Sequence, residues 1–312
     1  MVEVLPLGRS ATVLTPATTA NLGPGFDALG LALNWVDQAS VRVIERGFEL
    51  TLTGVGSGSL PLDETHLVVS TILRGLENLG VKAGGLAFTA HNTIPLARGL
   101  GSSSAAIASG LALAWGLARP HQPLDRYWAF TLAVGLEGHP DNVGPAIYGG
   151  LTIGWFTDGV WKVVGAPVHD DLRVCALVPD TVLETTTARS VMPREIPLSD
   201  AIANSAHTAL LVHAFSEEPR FLFDATSDRL HQEYRRALYP SSMALVDVLR
   251  DQGLAACISG AGPTVVLLHT EGQGALVDLI LDGLLSGDSD LSAFKRYALG
   301  VGEGVQVLPP SQ

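Results

Sequence analysis

The stretch best suited to chemistry is residues 95–105, Pro95-Leu96-Ala97-Arg98-Gly99-Leu100-Gly101-Ser102-Ser103-Ser104-Ala105. Strand-forming residues precede it and a long apolar run follows it, so a strand enters it and a helix leaves it. Amide groups in the first turn of a helix have no partner within the helix, and the helix dipole is positive there. Glycine lets the backbone come close to a ligand. Three hydroxyls add donors for phosphate and oxygen ligands for a divalent cation. Such a loop can hold a triphosphate without a lysine. Helix capping alone would need one serine, and Gly-x-Gly followed by three serines goes beyond that. Two rival phosphate motifs fit less well. The P-loop needs Gly-Lys before Ser or Thr, and the chain contains no Gly-Lys pair. The dinucleotide fingerprint needs Gly or Ala at its sixth position, where Ser104 stands.

Three further clusters are too polar or too glycine-rich for plain scaffolding. Ala20-Asn21-Leu22-Gly23-Pro24-Gly25-Phe26-Asp27 is dense in turn formers. Glu137-Gly138-His139-Pro140-Asp141-Asn142 gathers polar side chains between apolar segments, and Ser259-Gly260-Ala261-Gly262-Pro263 is a tight turn leading into a buried strand.

The elements that must position these clusters are legible in outline. Residues 11–14 and the alternating run 36–45 read as strands on either side of the first turn. Apolar spacing predicts a helix over 65–79, stopped by Gly80. Residues 86–91 form a strand, the apolar run to Ala118 a buried helix, and 124–136 a further helix. Residues 138–150 read as a turn region and 151–155 as a strand. Beyond these, 172–178 and 264–269 read as buried strands, and 199–215, 219–223 and 243–251 as helices. Segregated strands and helices indicate α+β layers rather than a regular βαβ series.

Bulk composition narrows the function. The 312 residues are 47% apolar and 16% charged, which marks a globular chain. A net charge of −12 with three lysines, Lys82, Lys162 and Lys295, argues against a nucleic-acid partner. The N-terminus lacks a signal pattern, and the apolar run 105–118 is too short for a bilayer, so no membrane association is expected. Cys175 and Cys257 sit singly in apolar runs and read as buried free thiols in a reducing cytoplasm.

Taken together, these clusters resemble the GHMP kinase family over nearly the whole chain. Pro95-x-x-x-Gly99-Leu100-Gly101-Ser102-Ser103-Ser104-Ala105 is similar to the family's ATP loop, and Gly260-Ala261-Gly262-Pro263 to its C-terminal glycine motif. The segments 20–27 and 139–143 resemble the branch that phosphorylates L-homoserine on the threonine pathway. The resemblance implies an N-terminal domain over residues 1–160 with a left-handed βαβ crossover, and a C-terminal α/β sandwich over 161–312. It implies ATP and Mg2+ as cofactors, an active site between the domains, and a homodimer.

Roles carry over by position. Asn21 and Asp27 match contacts to the substrate's amino and hydroxyl end, His139 and Asn142 further contacts, and Thr185 and Arg189 a substrate-binding segment. Arg235 matches a second arginine, with Arg236 a neighbouring alternative; two arginines suit a carboxylate. Glu137 matches the acidic Mg2+ ligand, with Ser102 or Ser103 as partner, and the resemblance makes Glu137 and Asn142 catalytic. One departure is His66, where relatives often carry Asn near the adenosine. Two other readings remain open from the sequence: a GHMP kinase for a different small alcohol, and a non-catalytic nucleotide-binding protein on the same fold.

Overall fold

Alternating burial builds the first sheet of the protein, seen in a computed structural model that describes residues 3–286 and 290–309. In the strand Ser10–Ala20, residues Ala11, Val13 and Ala17 are buried. It pairs antiparallel with the long strand Leu29–Ile44, and the register shifts between Pro16 and Ala17. Proline donates no ladder hydrogen bond, which fits a break at that point. Between the two strands lies the glycine-rich turn, where Asn21, Leu22 and Asp27 all adopt positive φ (68°, 52° and 56°).

Leu29–Ile44 also pairs antiparallel with Gly85–Asn92, which runs parallel to Gly47–Gly54. The helix Leu67–Asn78 lies between those two parallel strands in the chain, making a βαβ unit. Leu151–Thr157 and Val160–Ala166 extend the sheet on the other side as a hairpin. The last strand, Gln306–Leu308, returns to pair with Ser10–Ala20. The first sheet thus takes its strands from residues 10–166 and 306–308.

Helices Ser102–Ala118 and Pro140–Tyr148 pack on this sheet, Leu67–Asn78 shares a core with the sheet residues Val41, Val43 and Phe88, and Arg126–Glu137 packs against Ser102–Ala118 and Pro140–Tyr148. Ser102–Ala118 is apolar nearly all round and buried along most of its length, as a central helix must be. It approaches its neighbour closely at two glycines. A methyl on Gly75 would lie 2.7 Å from Ala114, and one on Gly110 2.6 Å from Thr71.

The second sheet is antiparallel, in the order Ala255–Ile258, Val265–Thr270, Leu172–Val178, Lys295–Leu299. Leu177, Leu267, Val246, Leu249, Val277 and Leu281 pack one face of it against helices Pro240–Asp251 and Gly274–Leu285. A core containing Leu31, Leu151, Val174, Leu268, Leu211 and Phe215 joins the two sheets, with Leu211 and Phe215 coming from helix Leu198–Ser216. Cys175 and Cys257 are buried and free, as their apolar surroundings indicated. Among the described residues, no helix is long and apolar enough to cross a membrane.

One sequence expectation is corrected. Residues 138–150 are not a turn region, because Pro140–Tyr148 is a helix. Pro140 occupies its first turn, where a missing N–H costs nothing, and Val143, Ala146 and Ile147 are buried beneath it. Gly144 and Pro145 hide this helix from any propensity reading.

Candidate active site

The 95–105 loop, the candidate phosphate loop, is a left-handed path into a helix. Ala97, Gly99 and Gly101 have φ of 53°, 76° and 67°, and Gly101 is the N-cap of Ser102–Ala118. Two glycines have no substitute here. A Cβ on Gly99 would lie 2.2 Å from the carbonyl oxygen of Ser259, and one on Gly101 1.8 Å from Thr18 Oγ1. The loop is clamped from both sheets. Thr18 N–H donates to Leu100 O at 3.1 Å, Ser259 Oγ donates to Gly99 O at 2.6 Å, and Thr264 N–H donates to Arg98 O at 3.3 Å.

The Gly260–Pro263 turn ties this loop to the first glycine-rich turn. Gly260 N–H donates to Ala20 O at 3.0 Å, and Asn21 Nδ2 donates to Gly260 O at 2.8 Å. Asn21 Oδ1 in turn accepts from Asp27 N–H at 3.0 Å. Asn21 thus joins the first glycine-rich turn to the Gly260–Pro263 turn while it borders the cavity.

A cavity of about 180 Å³ opens where these segments meet. Its wall brings together Asn21, Asp27, Glu137, His139, Asn142, Thr185, Arg189 and Arg235 with Ala97, Arg98, Gly99, Gly101, Ser102 and Ser103. Sequence positions more than 200 apart thus meet in one place. Leu100 and Ala105 instead turn their side chains into the shared core. Leu96 borders a second cavity of about 380 Å³, which Ser102 and Ser103 connect to the first. That second cavity is lined largely by apolar groups, including Leu60, Pro61, Val68 and Ala106, and His66 stands on its wall. Pro95 stands on neither wall.

Glu137 ends its helix facing the serines. Its carboxylate accepts from Ser103 Oγ at 3.3 Å and from Ser104 Oγ at 2.9 Å. Asn142 Oδ1 accepts from Thr18 Oγ1 at 2.8 Å, which fixes the amide next to the loop. Arg98 points away, donating to the carbonyls of Pro179 at 2.9 Å and Asp180 at 2.8 Å.

His139 Nδ1 lies 2.8 Å from Asp141 Oδ1, and Asp141 is buried. Burial pulls the imidazole pKa down, but the hydrogen bond and charge of Asp141 outweigh it and hold it above 6.5. Arg189 binds Asp27 in two places, NH2 to Oδ1 at 2.7 Å and NH1 to Oδ2 at 3.1 Å.

Arg235 differs from Arg189 in kind. It is 2% exposed, and among the described residues it makes no ion pair. Its Nε donates to Ala188 O at 3.0 Å, and its guanidinium lies 5.2 Å from the centroid of the Phe26 ring. Arg236, the neighbouring alternative, faces outward and is tied up by Glu233 and Asp247.

Comparisons with known proteins identify the family. Residues 66–150 match the family model "GHMP kinases N terminal domain", and residues 211–277 match "GHMP kinases C terminal". The homoserine kinase of Cutibacterium acnes is 45% identical over 302 residues, covering 96% of this chain and 99% of its own. The chain belongs to the GHMP kinase family. The homoserine kinase of Streptomyces coelicolor is also 45% identical to this GHMP kinase, over 84% of the chain and 86% of its own. Among solved structures, homoserine kinase from Cytophaga hutchinsonii superposes with a TM-score of 0.84 at 28% identity, covering 97% and 98% of the two chains. A mevalonate kinase structure, at 14% identity and a TM-score of 0.68, shares the fold. The two-domain GHMP kinase fold expected from the sequence is the one observed, and with it an ATP-dependent kinase.

Residue-by-residue reading overlooked several parts of this GHMP kinase site. Phe26 lies under Arg189 and Arg235, at 5.9 Å and 5.2 Å. Ser104 donates to Glu137 alongside Ser103. His231 is fully buried behind Arg235, and its one sequence signal is the four-residue spacing to that arginine.

Proposed function

We propose that this GHMP kinase moves the γ-phosphoryl group of ATP to the side-chain hydroxyl of L-homoserine, giving ADP and O-phospho-L-homoserine for threonine biosynthesis. Arg235 carries the reading. A buried cation without a carboxylate is costly, and this one stands on the wall of the cavity that begins at the phosphate loop. A substrate carboxylate supplies its missing partner. The Asp27–Arg189 pair gives the complement, since an α-amino acid brings one ammonium for Asp27 and one carboxylate for an arginine. The curated relatives that span nearly the whole chain carry the name homoserine kinase.

In this reading the loop amides and serine hydroxyls at the start of Ser102–Ala118 hold the triphosphate, and the apolar second cavity takes the base. The amino-acid hydroxyl lies among Asn21, His139 and Asn142, in line with the γ-phosphate. Thr185 closes the wall beside Arg189. Phosphoryl transfer needs alignment and charge neutralisation more than covalent help. Asp27 and the arginines align the acceptor, while His139, kept more cationic than an ordinary histidine, adds positive charge.

The Glu137 carboxylate has the Ser103 hydroxyl at 3.3 Å and the Ser104 hydroxyl at 2.9 Å. That donor set suits a hard cation such as Mg2+, and Ser102 lines the same cavity. When bound, Mg2+ supplies charge neutralisation at the phosphates. A reducing cytoplasm, which keeps Cys175 and Cys257 as thiols, is the compartment we infer.

A coupled ADP-release assay with Mg·ATP tests this. Turnover is expected with L-homoserine and not with mevalonate or galactose; no turnover with L-homoserine would overturn it.

A further inference from the structure

The segment leading to Arg235 is fixed with unusual thoroughness for an irregular stretch. The Asp228 carboxylate accepts from the backbone N–H groups of Leu230 at 2.9 Å, His231 at 3.0 Å and Gln232 at 2.8 Å. Gln232 Oε1 accepts from Ile258 N–H at 2.6 Å, which pins the segment to the second sheet. His231 and Arg235 are then one helical turn apart, with Arg235 N–H donating to His231 O at 3.3 Å, so their side chains share a face.

His231 is 0% exposed, and its ring stacks on Phe26 with centroids 5.0 Å apart at 16°. Its Nε2 lies 2.9 Å from the carbonyl oxygen of Gly23. A carbonyl only accepts, so Nε2 carries the proton, and a neutral ring then leaves a lone pair on Nδ1. Burial keeps the ring neutral by lowering its pKa. Nδ1 lies 3.3 Å from Arg235 NH1, which donates to it.

We infer that His231 is a positioning residue: its Nδ1 lone pair, with Ala188 O and the Phe26 ring, sets the Arg235 guanidinium to receive the carboxylate of an α-amino-acid substrate. Two acceptors take N–H groups on Nε and NH1, and a guanidinium has five. The remaining donors serve a ligand at the cavity wall. His231 itself does not line the cavity, so it acts only through Arg235. This inference rests on the reading of Arg235 given above.

The test separates the two. H231F keeps the aromatic surface and removes the acceptor. It is expected to raise the KM for L-homoserine about tenfold, the cost of a weakened charged contact, and to change the KM for ATP less than about twofold. In an R235A background, H231F should add nothing further. A second pair covers a folding defect in H231F. H231N keeps an acceptor near the Nδ1 position, while H231Q reaches only toward Gly23, so H231N should retain the lower homoserine KM. An unchanged homoserine KM, equal rises in both KM values, a full additional penalty in R235A, or the reverse order of H231N and H231Q would overturn the inference. Absence of wild-type turnover with L-homoserine would instead sink the functional reading.

Discussion

Arg189 and Asp27 form a bidentate ion pair that joins helix Thr185–Ser190 to the glycine-rich turn, the two side chains being 40% and 34% exposed. Its worth to stability is small for that reason. In the proposed function its worth lies in recognition, because the pair offers one charge of each sign to a zwitterion. Arg189→Ala is expected to raise the KM for L-homoserine about 10- to 100-fold, the range for hydrogen bonds to charged groups. The KM for ATP should move far less. Steady-state kinetics in both substrates checks this, and equal effects on the two would contradict a carboxylate role.

The phosphate loop makes a steric prediction. Gly101→Ala drives a methyl into Thr18 Oγ1, and Gly99→Ala drives one into Ser259 O, each at positive φ. Each change is expected to destabilise the fold by about 1–3 kcal/mol and to weaken ATP binding. Gly58→Ala is the control. Its methyl meets nothing within 4 Å, so urea unfolding should show a change under about 0.5 kcal/mol.

Glu137→Gln keeps the shape of the side chain and removes its charge. The free Mg2+ needed for half-maximal activity should rise about tenfold, with the KM for L-homoserine little changed. A titration of activity against Mg2+ reads this directly, and an unshifted curve would remove Glu137 from the metal site.

His139 gives a pH signature. Its folded pKa is raised above 6.5, because the hydrogen bond and charge of Asp141 outweigh burial. A group raised in this way contributes stability that is complete below its ordinary pKa and is lost as pH rises through the folded value. The Tm advantage of the wild-type chain over His139→Asn should therefore be full at acid pH and shrink as pH rises above the ordinary histidine range near 6.5. An advantage that grows with pH would be inconsistent with the ion pair.

Local patterns made much of this legible. The buried strand Leu172–Val178 and the helices Ser102–Ala118, Arg126–Glu137 and Leu198–Ser216 lie within a few residues of their expected spans, since apolar periodicity marks elements that bury a face. The helix Pro140–Tyr148 was not legible, because tertiary burial of Val143, Ala146 and Ile147 overrides a sequence with Gly144 and Pro145 inside it. Nor could the pairing of Gln306–Leu308 with Ser10–Ala20 be read, as no local signal records a partner at that distance. In the site, residue types indicated a phosphate loop, and the family resemblance supplied the two arginines. The choice of Arg235 over Arg236 needed burial: one faces the cavity, whereas the other is neutralised by Glu233 and Asp247. His231 escaped notice because a lone histidine in sequence does not show which carbonyl or guanidinium its two nitrogens meet.

One cavity unites the proposed triphosphate loop with the Asp27, Arg189 and Arg235 cluster. Phosphorus NMR of a reaction containing the protein, Mg·ATP and L-homoserine tests it most directly. A new phosphomonoester resonance, coupled to the side-chain CH2 next to the oxygen, should grow as ADP appears. ADP with inorganic phosphate alone, or no loss of ATP, would contradict it.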